Sequence, residues 1–96
     1  MDLNDITVFA AVVRTGGFTA AGRDLDLAAS AVSRRVARLE QKLGFKLLHR
    51  TTRRVGLTEA GRLFYDRTAS IPAQVEDALR ALADSAAGAE TASLSG

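Results

Sequence analysis

Apolar residues along this chain recur with helical spacing at first, then briefly alternate, then return to helical spacing. Leu3, Ile6, Phe9, Ala10 and Val13 predict a first helix with one apolar face. Asp2 stands where a carboxylate caps a helix start, and Asp5 falls in the first turn, where negative charge favours the helix dipole. Gly16-Gly17 supplies the permissive backbone that ends the helix. A shorter helix is predicted in "FTAAGRDL", with Phe18, Ala21 and Leu25 turned inward and Gly22 leaving room for close packing at a cost in helix propensity. After the short connection "DLAA", the third helix divides into two stripes. Ala29, Val32, Val36, Leu39 and Leu43 share one; Ser30, Ser33, Arg34, Ala37 and Gln41 share the opposite one. Gly44 stops it.

The stretch "FKLLHRTTRRVGLT" changes character. Leu47, Leu48, Val55 and Leu57 fit two short strands, with "RTTRR" as the tip of a hairpin. Thr58 then caps a fourth helix with Glu59 in its first turn. The pattern carries this helix to about Ala86, with Ala60, Leu63, Phe64, Ile71, Val75, Ala78, Leu79 and Leu82 as its apolar stripe. At 1.5 Å per residue such a rod is roughly 44 Å long, more than a three-helix core can cover. Ile71, Val75, Ala78, Leu79 and Leu82 would stay wet, so they are expected to pair with a second copy. Pro72 lies inside this helix and has no N–H for the Thr68 carbonyl. Either a kink between Thr68 and Pro72 or a restart with Ser70 as cap is expected. The tail "GAETASLSG" is small and polar and reads as a linker.

Composition narrows the class. With 96 residues, 47% hydrophobic and 25% charged, the chain has the composition of an ordinary soluble protein and the length of one small domain. Its longest apolar run, Val8 to Val13, is too short to span a bilayer, and the acidic start "MDLNDI" lacks the apolar segment of a secretion signal. There is no cysteine, hence no disulfide framework or thiolate metal site. A cytoplasmic location is expected.

Charge changes the picture more. The net charge is only +2, but residues 34–54 hold eight basic residues and one acid, Glu40. That stretch carries +7 and the remainder −5. Such asymmetry points to a polyanionic partner, against the plainer reading of a solvated charged face. Enzyme chemistry finds no footing: His49 is the only histidine, no carboxylates pair on an apolar face, and "RTGG" lacks the Lys-Ser/Thr of a phosphate loop. No catalytic residue, metal or cofactor is expected.

Helix, short turn, helix and basic hairpin in this order suit double-stranded DNA. The second of two crossed helices enters the major groove with its N-terminal residues on base edges. Ser30, Ser33 and Ala37 are small enough for close approach, Arg34 can donate twice to guanine, and Arg38 adds to the basic patch. Arg53 and Arg54, beside Thr51 and Thr52 at the hairpin tip, can reach phosphates or a narrow minor groove.

Taken together, "GGFTAAG", "AVSRRVARLEQKLG" and "LLHRTTRRVGLTEAG", at their mutual spacing, resemble the N-terminal winged helix-turn-helix of LysR-type transcriptional regulators over residues 3–67. The resemblance continues through the long helix, which corresponds to that family's dimerising linker helix. It implies a mainly α fold: a three-helix core, a short β-hairpin wing and a long C-terminal helix. It also implies a homodimer that binds an inverted-repeat operator to regulate transcription. Ala29, Ser30, Ser33 and Arg34 match positions that face the major groove; Thr19, Arg35 and Lys42 match positions suited to phosphate contacts; Arg50, Arg53 and Arg54 match the wing. The implied layout is a DNA-binding domain over 1–58, a linker and dimerisation helix over 59–87, and a flexible linker over 88–96.

The chain departs from the family pattern in three places. Ala28 replaces a frequent capping serine, Ala29 replaces a frequent Gln or Pro, and Pro72 interrupts the linker helix. Family members continue into a two-lobed α/β domain that senses a small-molecule inducer and can add higher oligomers. This chain stops at Leu94-Ser95-Gly96, where that domain would begin. Two rival readings remain: a protein-interaction module built on the long helix, and a non-specific nucleoid or RNA binder.

Overall fold

Three helices, α1 (Leu3–Thr15), α2 (Phe18–Leu25) and α3 (Ala29–Leu43), open the chain in the computed structural model, which describes residues 2–50 and 55–91, with side chains as far as residue 86. Asp2 Oδ1 accepts from the Asn4 amide at 3.0 Å, so the expected cap forms. Gly16 and Gly44 end α1 and α3 at φ of +88° and +80°, a region that costs glycine nothing. Ala28 starts α3 with no side-chain cap. Between α2 and α3 the Leu27 amide donates to the Gly22 carbonyl at 2.7 Å, and a Cβ on Gly22 would lie 2.3 Å from the Leu27 oxygen. The missing side chain at residue 22 is therefore what lets the turn close.

Val8, Phe9, Ala11 and Val12 of α1, Ala21 of α2, and Val32, Val36 and Leu39 of α3 form one core with Leu47 and Leu48. The buried face of α1 is rotated from the expected one. Phe9 and Ala10 are buried as expected, but Leu3 is exposed and Ile6 and Val13 are only partly covered. Their place is taken by Asp5, Val8 and Val12, because α1 is covered on that side by α2, α3 and the rings of Phe64 and Tyr65.

Strands β1 (Leu48–Arg50) and β2 (Val55–Leu57) pair antiparallel, with Leu48 opposite Leu57, His49 opposite Gly56 and Arg50 opposite Val55. The tip residues Thr51, Thr52, Arg53 and Arg54 lie outside the described residues. Helix α4 (Glu59–Thr68) starts at the expected cap, where Thr58 Oγ1 accepts from the Gly61 amide at 2.9 Å. Thr58 also joins α4 to the segment before β1, its hydroxyl donating to the Lys46 carbonyl at 2.6 Å and its amide to the Leu47 carbonyl at 3.0 Å. From α4, Phe64 and Tyr65 meet Phe9 at ring-centroid distances of 5.8 and 6.2 Å.

The fourth helix does not run unbroken to Ala86. It ends at Thr68, and α5 (Ile71–Thr91) begins two residues later. Of the two outcomes expected at Pro72, the restart is the one observed. Pro72 sits in the first turn of α5, where its missing N–H costs little. Ser70 carries the cap position: its carbonyl accepts from the Gln74 amide, and its hydroxyl from Gln74 Nε2, both at 2.9 Å. At its far end α5 continues to Thr91, into the stretch read as a linker, because "AAGAE" is mostly strong helix formers. The molecule measures 58 × 25 × 18 Å, elongated well beyond its three-helix core.

Candidate nucleic-acid interface

Helix α3 is held by a narrow stripe. Val32, Val36 and Leu39 are fully buried, and Leu43 packs at the edge of the core. On the other side Ser30, Arg34, Ala37 and Gln41 are exposed and Ser33 is half-buried, while Ala29, on the apolar stripe itself, is half-buried. Leu27, Ala31, Arg34, Arg38 and Gln41 line an open groove of about 600 Å³ along this side. Thr19, in the first turn of α2, is exposed, as is Lys42 in the last turn of α3. Neither Arg34 nor Lys42 has an acidic partner among the described residues. Both present their charge to the surroundings.

The other cations of the patch are used differently, and two buried carboxylates are the reason. Asp5 is fully buried. Its Oδ1 accepts from Arg38 Nη2 at 2.9 Å and lies 3.7 Å from Arg35 Nη1, while Oδ2 has no hydrogen-bond partner among the described residues. The hydrogen bond to Asp5, and then the attraction of its charge, push the Arg38 pKa up against the opposing effect of burial. Arg35 and Arg38 thus tie α3 to the start of α1, with about half of the Arg38 side chain still exposed.

Glu40 is the second. It is 4% exposed, and its Oε2 accepts from the amides of Leu47 and Leu48 at 2.8 and 3.2 Å. These are backbone donors at the entry to β1, so the carboxylate caps the hairpin from α3. Its Oε1 lies 3.3 Å from Arg50 Nη2 and 3.9 Å from Lys46 Nζ. Arg50 also donates from Nη1 to Ser33 Oγ at 3.1 Å, and its Cζ lies 5.0 Å from the Phe18 ring centroid. The structure therefore brings Ser33 and Arg50, both expected at the interface, into direct contact.

Asp5 and Glu40 were missed as organising residues, though a signal was present. Asp5 is three, four and seven positions before Val8, Phe9 and Val12; Glu40 is four after Val36 and three before Leu43. Both carboxylates stand on apolar stripes, where burial demands partners. Along α5, Ile71 is half-buried, whereas Val75, Ala78, Leu79 and Leu82 are exposed, the last two at 59% and 65%.

A three-helix core with an antiparallel hairpin behind its third helix defines the winged helix-turn-helix class. Residues 3–62 match the bacterial regulatory helix-turn-helix protein, lysR family, and the chain belongs to that family. It is 49% identical over 77 residues to an HTH-type transcriptional regulator of Xanthomonas campestris pv. campestris (strain 8004), covering 80% of this chain and 22% of that protein. It is 47% identical over 75 residues to the HTH-type transcriptional activator AaeR of Escherichia coli (strain K12), covering 78% of this chain and 24% of the relative. The chain thus spans about a quarter of the length of these relatives. Among solved structures it is similar to the BenM_DBD/catB site 1 DNA complex, with a TM-score of 0.85 and 33% identity over 92% of this chain and 95% of that one. It is also similar to the CbnR_DBD-DNA complex, with a TM-score of 0.73 and 31% identity over 86% of this chain and 99% of that one.

Proposed function

We propose that this chain is the sequence-specific DNA-binding part of a bacterial transcriptional regulator and acts as a homodimer on an inverted-repeat operator in the cytoplasm. The observation that carries the reading is the two-sided α3. Val32, Val36 and Leu39 fix it in the core while Ser30, Arg34 and Ala37 stay open beside Ser33. A helix so held can lie in the major groove and bring side chains to base edges. The BenM and CbnR DNA-binding domains, whose fold this chain shares, are complexed with DNA, which supports DNA as the partner.

In this reading Ala29, Ser30, Ser33 and Arg34 face bases, and Thr19, Arg35, Arg38 and Lys42 flank them towards phosphates. The hairpin residues Arg50, Thr51, Thr52, Arg53 and Arg54 lie to one side, and Ile71, Val75, Ala78, Leu79 and Leu82 pair two copies. Binding is the whole mechanism, with no chemical step. Selection of bound duplexes from a random library tests it. Enrichment of one motif in two inverted halves is expected. Retention of duplexes without sequence preference would replace the proposal with non-specific binding.

A further inference from the structure

The Arg50 guanidinium is gripped by three elements. Phe18 of α2 lies under it, and Ser33 and Glu40 of α3 accept from its two terminal nitrogens, while its backbone belongs to β1. Its anchor is rigid, since Glu40 is itself buried and holds two backbone amides. A guanidinium only donates, whereas a serine hydroxyl has one hydrogen and two lone pairs. The contact between Arg50 and Ser33 therefore occupies an acceptor site of the hydroxyl and leaves its hydrogen available. Among the described residues that hydrogen goes to no protein acceptor. Thr15 and Thr68, elsewhere on helices, behave otherwise: their hydroxyls donate one turn back, to the carbonyls of Ala11 and Phe64, both at 2.7 Å.

We propose that Arg50 sets specificity through Ser33, occupying the acceptor side of its hydroxyl so that α3 offers DNA a hydrogen-bond donor at that step. The proposal rests on the major-groove reading of α3. In the major groove guanine, adenine and thymine present acceptors, and cytosine presents an amino donor. Cytosine is thus the base that a donating Ser33 rejects. Without Arg50 the hydroxyl is free to accept, or to turn back onto the helix as in Thr15, and the discrimination fades. Arg50 acts as a positioning residue here, and its charge is met by Glu40 rather than by a phosphate.

The test measures affinities of the whole chain for its selected duplex, for single-base variants of it and for random duplex, across a salt series. Ser33→Ala should lower the preference at one base pair per half-site by about fivefold, the effect of one neutral hydrogen bond, with cytosine the disfavoured base. Arg50→Lys keeps a charge beside Glu40 but lacks the fork that spans both partners. It should relax the same base pair to a similar degree, leave the salt slope unchanged, and add nothing when combined with Ser33→Ala. An Arg50→Lys chain that weakens all duplexes equally, or a double variant with additive losses, overturns the inference. Circular dichroism checks that the variant folds. If it does not, Ser33→Ala decides alone, because it leaves the Glu40 anchor intact: unchanged base preference, or a preference for cytosine at that step, overturns the inference. A wild-type chain that selects no motif would remove the sequence-specific reading of α3 and this inference together, whereas the other outcomes remove only the inference.

Discussion

Arg34 and Arg38 are one turn apart on α3 and have unlike surroundings. Arg34 is exposed with no acidic partner among the described residues, while Arg38 is bonded to buried Asp5. On the proposed reading Arg34→Ala should lower affinity for the selected duplex and relax one base pair per half-site by about 1 to 3 kcal/mol, with random duplex affected less. Equal loss on every duplex would make Arg34 a phosphate contact. Glu40 belongs to stability instead. Glu40→Ala leaves the Leu47 and Leu48 amides without their acceptor. At about 1 to 3 kcal/mol for each orphaned buried donor, a loss of about 2 to 6 kcal/mol is expected by denaturant titration. A change within about 0.5 kcal/mol would mean that water replaces the carboxylate. Charge alone did not separate these roles in the sequence. Arginines at 34, 35, 38 and 50 look alike there, and what distinguishes them is whether the fold brings a carboxylate to them.

Several helix boundaries are legible in the chain, since they are written in short-range signals. Asp2, Gly16, Gly44 and Thr58 act where their chemistry places them. The break before Pro72 is equally local, although the choice between kink and restart needed Ser70 and Gln74 to be seen bonding. Gly61 is different, because nothing in its neighbourhood announces its task. A Cβ there would stand 1.9 Å from the Leu47 carbonyl oxygen, an atom that also accepts from the Thr58 amide. Gly61→Ala must push α4 off the entry to β1. The expected cost is about 1 to 3 kcal/mol, despite the better helix propensity of alanine. For a domain of this size that lowers the melting temperature by roughly 4 to 8 °C per kcal/mol, which calorimetry reads directly. An unchanged or raised melting temperature would show that α4 and β1 separate freely.

At the scale of the molecule, α5 is the element that one copy leaves unsatisfied. Val75, Ala78, Leu79 and Leu82 repeat at three- and four-residue spacing along one side and stay exposed. On the proposed homodimer, the double change Leu79→Glu with Leu82→Glu should yield monomers in sedimentation over a concentration series that keeps the parent chain dimeric. The core should melt nearly as before, since neither leucine packs in it and exposed substitutions cost within about 0.5 kcal/mol apart from lost pairing. A dimer that survives both charges would place the contact elsewhere, with exposed Phe45 and Leu63 as the next surface to examine.

The sequence by itself determined the first three helices, the caps at Asp2 and Thr58, the hairpin, the two-sided α3 and the family, because each rests on periodicity or on residues close together in the chain. Tertiary structure alone decided which face of α1 is buried and which cations are already engaged. Asp5 meets Arg38 across 33 residues, and Arg50 reaches Ser33 across 17. Contacts of that span depend on how three helices and a hairpin pack. A carboxylate on an apolar stripe announces that it needs a partner; only the packing supplies which one.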